Sequence, residues 1–160
     1  MSQPTIPSDS KTNHREHETL RQEVESLRAA LDSLAAYSEA IANLRSLREV
    51  AEHLHSLLSD VPTHMVHEER TILNAMERLG PEEARFAELM RQQHGMLTAG
   101  LAKLYRMLNE IHDSNDLRAA LRELQDCGAD VSKLLLHHME TEDRRIQALA
   151  KVDEAIVANL

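Results

Sequence analysis

Apolar residues recur at alternating steps of three and four through almost the whole chain, and that spacing confines it to amphipathic helices. One stripe runs His17, Leu20, Val24, Leu27, Leu31, Leu34. A second runs Val50, Leu54, Leu57, Val61, His64, Glu68, Ile72, Ala75, Leu79, and a third Phe86, Met90, His94, Leu97, Leu101, Leu104, Leu108, Ile111. The fourth reads Leu117, Leu121, Leu124, Gly128, Val131, Leu135, His138, Glu142, Ile146, Leu149. Aromatic residues make up 2% of the chain, too few for the strands of a sandwich or barrel. The expected fold class is all-α, an up-down-up-down four-helix bundle in which each helix buries its stripe against the others.

Boundaries follow from the breakers. Residues 1–13 are polar, carry Pro4 and Pro7, show no period, and read as a flexible N-terminal arm; residues 14–160 read as the bundle. The connection from Tyr37 to Asn43 is weakly marked. Pro62 falls inside the second stripe and predicts a kink or a restart there, with Asp60 as N-cap. Gly80-Pro81 reads as a stop, with glycine just past the helix end and proline beyond it. Asp113 to Asp116 suits a turn followed by an N-cap.

The formal net charge is −9 and no cluster of Lys or Arg interrupts it, which argues against nucleic acid and anionic membranes as partners. No run approaches the ~18 apolar residues of a membrane span. Cys127 stands alone and cannot form an internal disulfide, and the first residues offer neither a basic nor an apolar targeting segment, so the expected location is cytoplasmic. The expected assembly is a monomer or weak homodimer.

Ten histidines are many for such a chain, and four of them, His17, His64, His94 and His138, occupy the apolar seams, one on each stripe. Antiparallel neighbours bring residues to one height when these are equidistant from the connecting turn. Midway between His64 and His94 lies Leu79, beside Gly80-Pro81, and midway between His94 and His138 lies Asp116. The midpoint of His17 and His64 falls in the first connection. The four histidines therefore share one layer. Glu68 follows His64 by four and Glu142 follows His138 by four, so both carboxylates join that layer.

Four imidazoles and two buried carboxylates need a counter-charge, and a metal supplies it. Six donors are too many for one tetrahedral zinc but suit two metals ~3.5 to 4 Å apart, each with two imidazoles and bridged by the carboxylates. The donor types point first to iron, as two ions joined by an oxo or hydroxo bridge, although imidazole also suits zinc, copper and nickel. The other histidines, His14, His53, His55, His67, His112 and His137, fall off the seams or away from the layer. His14, one turn before His17, is the substitute ligand if the first helix is rotated. Glu52 and His55 form a lone Glu-x-x-His at another level. Met65, Met96 and Met139 read as packing residues, Tyr105 as core or rim, and Cys127 as a small packing residue.

His17, the run His64-Met65-Val66-His67-Glu68, His94, and the run His138-Met139-Glu140-Thr141-Glu142 resemble the hemerythrin-like (HHE) di-iron domain over roughly residues 14 to 150. The set is most similar to the four-His, two-Glu sites of iron-centre-repair and nitric-oxide-response proteins. Oxygen-carrying hemerythrins have a further histidine where this chain has Thr98, and the family's acidic ligand matches Asp143, five residues after His138, as well as Glu142. Glu142 is preferred, because a step of five turns about 140° from the face. The resemblance implies an open position on both irons, bordered by Thr98.

The leading expectation is a non-haem di-iron protein that binds a small ligand, O₂, NO or peroxide, for sensing, buffering or stress response, with binding favoured over turnover. One alternative is a repair or reductase enzyme acting on NO, peroxide or damaged iron-sulfur clusters. Another is a metal-free helical interaction module whose polar layer sets register.

Overall fold

The computed structural model describes the backbone of residues 10–36 and 40–157; residues 1–9 of the expected arm and Tyr37 to Glu39 of the expected connection lie outside the described residues. The first helix, α1 (Ser10–Ala36), begins earlier than its stripe, so Ser10 to Asn13, expected in the arm, form its first turn. Next come α2 (Ala40–Glu68), a π-helical turn (Glu69–Leu73) and a short α3 (Asn74–Glu77). The chain then continues with α4 (Pro81–Glu110), a 3-10 turn (Ile111–Asp113) and α5 (Leu117–Val157).

Each long helix packs on two others, α1 on α2 and α5, and α4 on α2 and α5. Glu23 meets His53 while Glu16 meets His67, so α1 and α2 run antiparallel. Arg21 reaches Asp143 while Leu31 lies against Gly128 and Gln125, so α1 and α5 do as well. The all-α, up-down-up-down bundle expected from the stripes is the observed architecture.

Two punctuation marks behave differently from expectation. Helix α2 runs unbroken through Pro62, and Asp60 caps nothing. Pro62 is on the exposed face, so the carbonyl left without a donor faces water, while Leu57, Val61 and Met65 on the inner face are buried. Gly80 is extended and serves as the N-cap of α4 with Pro81 at its first position; the preceding helix already ends at Glu77. Asp116 caps α5 as expected, its Oδ1 accepting from the Ala119 N–H at 3.0 Å.

The π turn is the largest departure. Its wider winding places one extra residue in the turn and advances the register by one. The inner residues beyond Glu68 are therefore Ile72, Leu73 and Met76, whereas Leu79, expected inside, is 37% exposed.

The apolar core is divided in two. A large cluster includes Leu20, Leu27, Leu54, Leu97, Leu101, Leu124 and Leu135. A smaller one comprises Ile72, Leu73, Met76, Ala87, Met90 and Ile146. The layer of seam histidines lies between them. Gly128 and Gly100 allow close helix contact, since a β-carbon on Gly128 would run into Leu31 and one on Gly100 would lie 2.8 Å from Val131. Gly95 has nothing within 4 Å of such an atom and faces open space.

Candidate metal centre

His17, His64, Glu68, His94, His138 and Glu142 converge in the bundle interior, each no more than 4% exposed. Glu68 is at the centre. Its Oε1 lies 2.7 Å from His64 Nε2 and 3.1 Å from His17 Nε2. Its Oε2 lies 3.1 Å from His94 Nε2 and 3.6 Å from His138 Nε2. Glu142 joins the first pair, with its Oε2 3.4 Å from His17 Nε2. The donors form two groups that could each hold an ion: His17, His64, Glu68 and Glu142 in one, and Glu68, His94 and His138 in the other. Glu68 belongs to both.

Every imidazole presents Nε2 inward and is held from behind at Nδ1. His17 Nδ1 is 2.8 Å from Asp143, whose other oxygen accepts from Arg21 at 2.6 Å. His64 Nδ1 is 2.8 Å from Glu16, His94 Nδ1 2.9 Å from Glu69, and His138 Nδ1 3.0 Å from the Gln93 side-chain oxygen. An oxygen at Nδ1 fixes that nitrogen as the donor and leaves Nε2 with its lone pair inward, the arrangement of a carboxylate–histidine–metal triad. The four supports close a ring, each helix bracing the next one's histidine: α1 on α2, the turn after α2 on α4, α4 on α5, and α5 on α1.

Sequence reasoning missed this ring, because Glu16, Glu69, Gln93 and Asp143 each lie one residue off the seams. It weighed Asp143 only as a ligand, whereas here Asp143 stands behind His17 and Glu142 stands in front.

Metal-free, the layer shares its protons unevenly. Burial alone would lower the His17 imidazole, but hydrogen bonds to Asp143 and Glu68, with the Glu142 carboxyl close by, overcome it and raise its pKa to about 11. Burial works against ionised Glu68 too, yet hydrogen bonds from the surrounding groups hold it well below the usual carboxylate range. Burial and the neighbouring Glu68 charge push Glu142 well above that range. Burial lowers His138. His94 is raised against burial by Glu68 and Glu69.

Several expected residues are not brought in. Thr98, one turn after His94, is exposed and donates its hydroxyl to the His94 carbonyl at 2.9 Å. A threonine hydroxyl free to bond back one turn along its own helix takes that local partner. His14 is exposed and meets Glu18 at 3.6 Å and Asp143 at 3.9 Å. Met65 and Met139 are buried packing residues, while Met96 and Tyr105 are 59% and 46% exposed. Cys127 is buried, which raises its thiol pKa.

The layer is incomplete as a purely protein network. Among the described residues, His138 Nε2 and both oxygens of Glu142 are buried without a hydrogen-bond partner. Two imidazole nitrogens, His17 Nε2 and His64 Nε2, approach to 2.9 Å and can share at most one proton between them. Orphaned donors and crowded lone pairs on one point are what a bound cation resolves, so the donor set fits a metal. Among the described residues, no helix is long and apolar enough to cross a membrane.

No curated protein matches the chain. The hemerythrin HHE cation-binding domain matches residues 10–150, which include all six converging donors and all four of their supports. The chain belongs to the hemerythrin HHE cation-binding domain family.

Proposed function

We propose that the chain holds two iron ions in this layer and there binds a small ligand, O₂, NO or peroxide, as a sensing, buffering or stress-response protein. The observation that carries this reading is the division of Glu68, one oxygen toward His17 and His64 and the other toward His94 and His138. One carboxylate serving two imidazole pairs fits two ions better than one.

In this reading His17, His64 and Glu142 would hold one ion and His94 and His138 the other, with Glu68 available to both. When bound, such a pair supplies reversible coordination and electron transfer to a small ligand. The protein's part is positional. Glu16, Glu69, Gln93 and Asp143 fix the four rings from behind. The apolar clusters on either side keep bulk water from the layer, and an apolar approach favours small neutral ligands over hydrated ions.

We further propose, from the resemblance of the donor set to iron-centre-repair and nitric-oxide-response proteins, a role in handling reactive nitrogen or oxygen species, and we place the protein in the cytoplasm as a monomer or weak homodimer. Metal analysis with near-UV and visible spectra of protein from iron-supplemented cells tests the reading. About two irons per chain, with charge-transfer bands of a bridged pair, are expected. A folded protein that takes up no metal overturns the proposal in favour of a metal-free interaction module.

A further inference from the structure

One turn from the metal layer, on the side of the smaller apolar cluster, the helical register puts one residue of each helix: Asn13, four before His17; Ile72, four after Glu68; Met90, four before His94; and Ile146, four after Glu142. All four are buried, and three are apolar. Asn13 is 0% exposed, and neither its Nδ2 nor its Oδ1 has a hydrogen-bond partner among the described residues. A carboxamide buried without partners loses its hydrogen bonds to water, and an apolar residue would fill the same turn without that loss.

By helical register the amide lies one turn from the layer, at the level of the turn beyond Glu142. Helical side chains lean toward the N-terminus of their helix, so the His17 ring leans over the turn that carries Asn13. Glu142, whose oxygens also lack a hydrogen-bond partner, is the member of its helix nearest that turn. A buried, unpartnered amide one turn from a metal-binding layer, among apolar neighbours, is placed to serve a small polar molecule held there.

Building on the di-iron reading above, we propose that the Asn13 carboxamide donates a hydrogen bond from Nδ2 to the free end of a small ligand held at the metal pair. Asn13 is thus the residue that selects ligands with an acceptor atom at that end. It is a neutral donor that exchanges no proton with the ligand, so it stabilises bound ligand without driving its reduction.

Azide, a small ligand with a terminal acceptor nitrogen, is the probe. Iron-loaded wild-type protein and the Asn13→Leu variant are titrated with azide by visible absorption, and the azide infrared stretch is recorded in H₂O and D₂O. Leucine has a similar volume and removes both polar atoms. The expected result is equal iron content, an azide dissociation constant raised about tenfold or more, and a D₂O shift seen in the wild type and lost in the variant. Asn13→Ala, which adds no bulk to the apolar turn, gives the same outcome should the leucine variant not fold. Unchanged azide affinity and an unchanged isotope shift, at equal iron content in either folded variant, overturn the assignment while leaving the di-iron reading standing. Wild-type protein that loads no iron, measured before azide is added, overturns both.

Discussion

Glu68 is the residue whose replacement tests the centre most severely. Glu68→Gln keeps the shape of the side chain but turns one oxygen into an amide nitrogen that can neither coordinate nor accept, and it removes the anion. All four imidazoles lose by it, since one oxygen serves His17 and His64 and the other His94 and His138. Iron content is expected to fall below one ion per chain. The metal-free protein is weakened as well: His17, raised to about 11, carries its proton at neutral pH and loses a wholly buried counter-ion. Breaking a buried pair costs about 3–5 kcal/mol, and because Asp143 remains paired with His17 the lower end applies. At about 2–4 °C per kcal/mol for a chain of this size, ~3 kcal/mol is a drop of roughly 6–12 °C in Tm. Calorimetry on chelator-treated protein and metal analysis on loaded protein read the two effects separately. Retention of two irons, or a metal-free variant as stable as wild type, would refute the central role of Glu68.

Glu142→Gln separates the two carboxylates: Glu142 is held protonated in the metal-free protein, so an amide there should leave metal-free Tm within about 2 °C of wild type yet lower iron content. The same raised proton affinities predict that loading displaces protons from Glu142, His17 and His94, and that metal affinity rises with pH. An indicator dye in weak buffer counts them, and pH-independent loading would sink the argument. Asp143→Asn should lower iron affinity by about 10–100-fold in chelator competition while saturating at the same stoichiometry; loss of a ligand would change the stoichiometry itself. Gly128→Ala forces a β-carbon into Leu31 and should lower Tm by an amount equivalent to about 1–3 kcal/mol, whereas Gly95→Ala, facing open space, should be neutral or raise it slightly.

The seam positions were readable because burial repeats along a helix with a fixed period. His17, His64, His94, His138, Glu68 and Glu142 share that period with the leucines around them, and the turns at Gly80-Pro81 and Asp116 set them level. The π turn was not readable: a single extra residue leaves the apolar stripe plausible in either register, and only packing of Leu73 and Met76 decides between them. Pro62 misled because its cost depends on which face it occupies. The supports had a usable signal. Glu16 is one residue before a seam residue, Glu69 one after, Gln93 one before and Asp143 one after, and that alternation follows the up and down directions of the helices.

The alternation has a geometric result. A step back along an ascending right-handed helix and a step forward along a descending one rotate the side chain in the same sense when viewed down the bundle. All four supports therefore point the same way around, each toward the following helix. Four antiparallel helices with short connections can be wound clockwise or anticlockwise, and apolar stripes, which face inward in both, hardly distinguish them. In the mirror winding Glu16, Glu69, Gln93 and Asp143 would each turn toward the wrong neighbour and leave every histidine unbraced. The polar collar thus selects the chirality of the bundle, so the same residues that ready the imidazoles for metal also exclude the alternative topology.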